Sequence, residues 1–147
     1  MPRRAGRPRH LEDDEMVALF RWLRLTRYAG RPIANLAWHT PNGGKRNARE
    51  AARLKAMGVK PGVPDVFVAI PRGEHSGLFV ELKAGRNTTT PAQMSTLADL
   101  ASAGFSVAVA RGWLEAATVI AEYLGVRPPA SNLLTMRDIR AVMGLEG

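Results

Sequence analysis

A chain of 147 residues with 46% hydrophobic content is long enough for one compact core and short for two. Charged residues at 23%, no cysteine, and no apolar run near ~20 residues exclude a disordered chain, a disulfide or thiolate-metal scaffold, and a spanning helix. Lys plus Arg outnumber Asp plus Glu by 21 to 13, a formal charge of +8. An excess that size favours a polyanion, because each neutralised phosphate releases condensed counterions. A basic surface kept for solubility, or one attracted to anionic lipid, is the plainer alternative. The Arg-rich start lacks the apolar centre of a secretory signal, so the expectation is a soluble cytoplasmic protein.

In chain order, residues 1–10 (MPRRAGRPRH) carry no periodicity and read as a disordered basic arm. From Leu11 to about Tyr28, Met16, Leu19, Phe20 and Leu23 form one apolar stripe at helical spacing. Gly30–Pro32 breaks that pattern, and IANLAWH (33–39) is compatible with a strand. TPNGGKRN (40–47) is a loop, and Asn47 is suited to cap a helix from Ala48 to Met57 that stops at Gly58. VKPGVP (59–64) is a rigid turn that delivers DVFVAI (65–70) as a buried strand, followed by GLFVELKA (77–84) as a second. Thr90-Pro91 opens a helix running to about Ala103 and closed by Gly104. FSVAVA (105–110) is another strand and WLEAATVIAEYLG (113–125) an amphipathic helix. After a Pro-Pro break, Thr135 is placed to cap a short last helix, 136–143. Strands interleaved with helices imply an α/β domain around a partly parallel sheet, spanning 11–125 with a tail at 126–147.

Three charged residues stand where apolar ones are expected. Side chains alternate along a strand, so Phe79, Glu81 and Lys83 share one face and Leu78, Val80 and Leu82 the other. Asp65 opens a run that is otherwise apolar. Partly buried carboxylates cost several kcal/mol unless they are paired or bind a cation. The ordinary readings are a surface salt bridge for Glu81 and Lys83 and a turn cap for Asp65. The combination favours chemistry: Pro-Asp, a buried strand, then Glu-x-Lys on the next strand of a basic protein. Asp65 and Glu81 offer hard oxygen ligands for Mg²⁺ or Mn²⁺, and Lys83 a compact cation for a water or phosphate oxygen.

Two further residues are candidates. On the first helix Glu12 lies about 40° from Met16 and Glu15 about 100° away. Glu12 therefore faces the core edge, where it would complete a metal site, and Glu15 is expected in solvent; both equally suit the helix dipole. Gln93 stands one turn before Leu97 and points inward, either to orient substrate or water or to satisfy a backbone group. In the loop Pro41–Asn47, Asn42, Gly43 and Gly44 allow backbone N–H groups near a phosphate, and Lys45, Arg46 and Arg49 add positive charge. A solvated flexible loop is the alternative there. Arg72, Arg86 and Arg111 follow strands and either extend a phosphate track or are plain surface.

The ordered run PNGGKRN, GVKPGVPDVFVAIPRG, GLFVELKAGRN, TPAQ and a Gly-Phe-x-Val strand resembles the VRR-Nuc family, a branch of the PD-(D/E)XK nucleases. The likeness covers roughly residues 11–125. It implies a restriction-endonuclease-like mixed sheet flanked by helices, and Mg²⁺- or Mn²⁺-dependent DNA cleavage. The family's Asp falls on Asp65, its Glu-x-Lys on Glu81 and Lys83, its Gln on Gln93, and its helix-borne Glu on Glu12. One departure is Met16, where relatives often carry Gln. Stand-alone phage and bacterial members resemble homodimers that cut branched DNA such as four-way junctions. Two other readings remain: a nuclease or nickase on ordinary duplex or single strands, and a nucleic-acid-binding protein without catalysis.

Overall fold

The computed structural model describes residues 11–41 and 46–129. The expected basic arm (1–10), the loop residues Asn42, Gly43, Gly44 and Lys45, and the tail helix (136–143) lie outside the described residues.

Helix α1 (Leu11–Leu25) carries three acidic residues in its first turn and Arg24 in its last, both favourable to the helix dipole. Its stripe behaves as the spacing predicts: Leu19 and Leu23 are fully buried, and Met16 and Phe20 pack against the same core. The helix ends earlier than Tyr28. Ala29 and Gly30 both take positive φ, the geometry of a tight two-residue turn, and fold β1 (Arg27–Tyr28) onto β2 (Arg31–Pro32). The segment expected as one strand over 33–39 divides into a 3-10 turn (Ile33–Leu36) and a short strand β3 (Ala37–His39).

Helix α2 (Ala48–Ala56) is capped by Asn47, whose side-chain oxygen accepts the Glu50 N–H at 2.8 Å. Strands β4 (Val66–Val68) and β5 (Leu78–Lys83) follow, then α3 (Pro91–Ser102), β6 (Ser106–Arg111) and α4 (Gly112–Leu124). The four-stranded sheet has the order β3-β4-β5-β6; the first two pairings are antiparallel and β5–β6 is parallel. Crossing to a parallel neighbour needs a long connection, which α3 supplies. The sheet is thus mixed and flanked by helices, as the resemblance implies.

One face of the sheet packs on α1 and α4 through Val66, Val68, Leu78, Val80 and Leu82 against Leu19, Leu23, Ala117, Ile120 and Leu124. The opposite face carries an aromatic row. Phe67 and Phe79 are direct partners across β4 and β5 and stack at 4.3 Å; Trp38 and Phe105 meet them edge-on. The next rung on that face holds the charged residues, under the first turn of α3. Because Ile120 is fully buried between α4 and the sheet, Ile120→Ala is expected to cost about 2–5 kcal/mol in urea unfolding with the two-state slope unchanged.

Candidate active site

Asp65 precedes β4 on the face shared by Phe67, and its partner rung in β5 is occupied by Glu81. The Asp65 Oδ2 accepts the Leu82 backbone N–H at 2.9 Å, which locks the carboxyl across the ladder beside Glu81. Its main-chain carbonyl accepts two donors, the Thr40 N–H at 2.7 Å and the His39 Nδ1–H at 2.8 Å. A carbonyl can only accept, so His39 carries its proton on Nδ1.

Glu81 and Lys83 are buried, at 3% and 7% exposure, although both are charged types. Gln93 explains how. Thr90 caps α3, and Gln93 is the third residue of that helix, completing a reciprocal capping box. Its Oε1 accepts both the Thr90 N–H at 2.9 Å and a Lys83 ammonium N–H at 3.0 Å, while its Nε2 donates to Glu81 Oε1 at 2.9 Å. Lys83 Nζ also lies 3.3 Å from Glu81 Oε1. The helix start and the charged pair are therefore tied by one amide. Of the two roles considered for Gln93, the structure shows the backbone one, at the Thr90 N–H; the same amide also aligns Glu81 and Lys83.

The other oxygen, Glu81 Oε2, is buried without a hydrogen-bond partner. Burial, then the neighbouring Asp65 charge, push the Glu81 carboxyl up to about 7, against the pull of Lys83. Burial also raises Asp65, opposed first by the Leu82 N–H. An orphaned carboxylate oxygen beside a second carboxyl, both short of positive charge, is a donor set that fits a hard divalent cation. Such a cation commonly takes one or two carboxylates and completes its shell with water and phosphate. Among the described residues no three His, Asp or Glu side chains converge as a ready-made cluster. Glu12 stays at the edge: exposed, it adds a like charge that raises Asp65, and its Oε1 accepts the Asn87 amide N–H at 3.1 Å.

Glu15 is not in solvent as the wheel suggested. Its Oε2 accepts the Trp113 backbone N–H at 2.6 Å, satisfying an orphan donor at the start of α4. The packing of α1 on α4 overrides an angle drawn for an isolated helix. Of the three arginines weighed as a phosphate track, Arg111 bonds the carbonyls of Gly85 and Asn87 and so pins the loop that holds Glu12. Arg72 approaches Gly125 instead, beyond the Leu78 end of β5 and about 17 Å of strand from Lys83. Arg86, Arg46 and Arg49 are exposed.

Sequence reasoning missed His39, Asn87 and the part played by Gly62. His39 is the last residue of a recognisable strand segment, but only the β3–β4 pairing sets it beside Asp65. At Gly62 the φ is +80°, and a Cβ there would lie 2.7 Å from the Ala92 carbonyl carbon. The turn before Asp65 is thereby pressed onto the first turn of α3, next to Gln93. Gly62→Ala is expected to cost about 2–3 kcal/mol in urea unfolding. The raised Glu81 gives a second expectation. Its proton is held in the folded state and released by the unfolded chain, so its contribution is fullest below about 4.5 and fades as pH climbs through about 7. In chelator, Tm should fall between about pH 5 and pH 8. Glu81→Gln should remove most of that fall; a profile unchanged by the substitution would refute the assignment.

With this geometry in view, the comparisons with known proteins agree on one relationship. The model of the VRR-NUC domain matches residues 13–113. A solved structure described as a VRR_NUC domain protein is 34% identical, superposes with a TM-score of 0.70, and is matched over 80% of this chain and 91% of that one. No curated protein matches. The chain belongs to the VRR-NUC family and carries a nuclease-type domain.

Proposed function

We propose that this protein is a divalent-metal-dependent endodeoxyribonuclease, selective for branched DNA such as four-way junctions and acting as a homodimer. The observation that carries the hydrolytic part is Glu81. Its carboxylate is buried, one oxygen held by Lys83 and Gln93, the other without a partner beside Asp65.

In this reading Asp65 and Glu81 would hold Mg²⁺ or Mn²⁺, with Glu12 at the edge of the site as the third carboxylate. The cation, when bound, would acidify a water and neutralise charge developing on the phosphate. Lys83 has three ammonium N–H groups, of which Gln93 and Glu81 engage two. The third is available to a phosphate oxygen or the attacking water, held in place by its two neighbours. Gln93 sets the orientation of both Glu81 and Lys83. Exposed Arg46 and Arg49, with Asn42, Gly43, Gly44 and Lys45 before them, contact the phosphate backbone. The net charge of +8 supports a polyanionic substrate. Paired incision of a junction needs two sites in fixed relation, which motivates the symmetric dimer.

The test compares a labelled four-way junction, a fork and a linear duplex in Mg²⁺, Mn²⁺ and EDTA. Incision is expected with either metal, strongest on the junction and absent in EDTA. Lys83→Ala and Glu81→Gln should each lower the rate by about 100- to 1,000-fold while the fold is kept. Equal cutting of all three substrates would retire the junction preference, and cutting in EDTA would retire the metal.

A further inference from the structure

We infer that the groove between α2 and the turn at 59–61 binds one unpaired nucleotide of the DNA strand adjoining the scissile bond. The inference rests on the nuclease reading and names the form of DNA beside that site.

Helix α2 has no buried residue, although it ends in an ordered reverse turn. The Gly58 N–H bonds the Lys55 carbonyl at 3.0 Å and the Val59 N–H bonds the Leu54 carbonyl at 2.9 Å, with φ of +92° at Gly58. This Schellman closure brings Val59 back against Leu54. The two side chains, with Pro41 and Pro61, line an open cavity of about 280 Å³. Val59 remains 45% exposed, as does much of the neighbouring Met57. Around this apolar lining stand Arg46, Lys55 and Lys60. The arginines of the helix itself lie elsewhere: Arg49 and Arg53 are each about 160° from Ala51 on the wheel, on the side away from the cavity.

An apolar lining with a cationic rim is matched by a ligand with a flat apolar face and a phosphate. A DNA duplex does not present one, because its base faces are hidden in the stack and only phosphate, sugar and base edges reach outward. An unpaired nucleotide does present one. The cavity lies just under the range of clefts that hold drug-sized ligands, ~300–1,000 Å³, a size suited to a single base.

Its position ties it to the site. Pro41 follows Thr40, whose N–H bonds the Asp65 carbonyl, and Pro61 precedes Gly62, which presses on α3 beside Gln93. Both walls are thus one residue from groups that frame Asp65. A strand held at Asp65 therefore passes the groove with a nucleotide that neighbours the one at the carboxylates.

The test is a fluorescence-anisotropy titration of the full chain in EDTA, where no strand is cut. The probes are a forked oligonucleotide and the same fork with one abasic nucleotide at each unpaired position in turn. An abasic nucleotide keeps the phosphate and loses the face. At one or two adjacent positions it is expected to weaken binding by about five- to tenfold. Leu54→Asn and Val59→Asn should bind the intact fork as weakly as the wild type binds that abasic fork, with no further abasic penalty. Lys55→Gln and Lys60→Gln, which leave the apolar lining alone, should weaken intact and abasic forks alike and flatten the salt dependence. The inference is overturned if no abasic position matters, or if the penalty survives in Leu54→Asn and Val59→Asn. It is equally overturned if those variants only dissociate a dimer, which would give the groove to a second copy. Binding is read without incision, so failure here is separable from failure to cut DNA.

Discussion

The structure depends on a buried glutamate that the protein does not fully neutralise. Lys83 and Gln93 satisfy one oxygen of Glu81; the other meets no donor among the described residues, and the carboxyl, when protonated, bonds Asp65. A domain built for stability alone would place an apolar side chain there, because an incompletely paired buried carboxylate is costly. The neighbouring aromatic rung sharpens the cost: Phe67 and Phe79 stack beside the carboxylates and offer them no hydrogen-bond donor. The arrangement is what supports the proposal that a divalent cation supplies positive charge there.

Holding such a rung in place falls to a few contacts that are themselves structural. The same amide that completes the cap of α3 aligns Glu81 and Lys83, so the helix start and the site are one hydrogen-bonded unit. The backbone of Leu82 fixes Asp65, and Gly62 allows the preceding turn to reach the helix. A change at Gln93 or Gly62 would therefore disturb the start of α3 and the charged rung together.

Much of this was legible in the residues themselves. Caps and stops have local chemistry, so Asn47, Thr90-Pro91, Gly58 and Gly104 bound their helices close to where expected. The alternation of β5 separated Glu81 and Lys83 from Leu78, Val80 and Leu82 without any knowledge of partners. What needed three dimensions was whatever depends on pairing between distant segments. Strand 33–39 proved half turn, because Ile33 to Leu36 follow a hairpin whose tight Ala29-Gly30 turn has no strong propensity signal. His39 reached Asp65 only through the β3–β4 register. Glu15 was drawn from solvent to the N-terminus of α4, a partner 98 residues away in sequence. Arg111, open between phosphate contact and plain surface, holds a loop, since exposed arginines carry no local mark of their partner.

The fastening of Glu12 to Asn87 gives the domain a front and a back. The chain enters α1 at Leu11, close to Gly85 and to the carboxylates, while it leaves α4 at Gly125, near Arg72 and the opposite sheet end. Anything that joins the domain directly at Leu11 would begin beside Gly85, at the end of the sheet that carries the charged rung. The same attachment made after α4 would hang from the rear, out of the way.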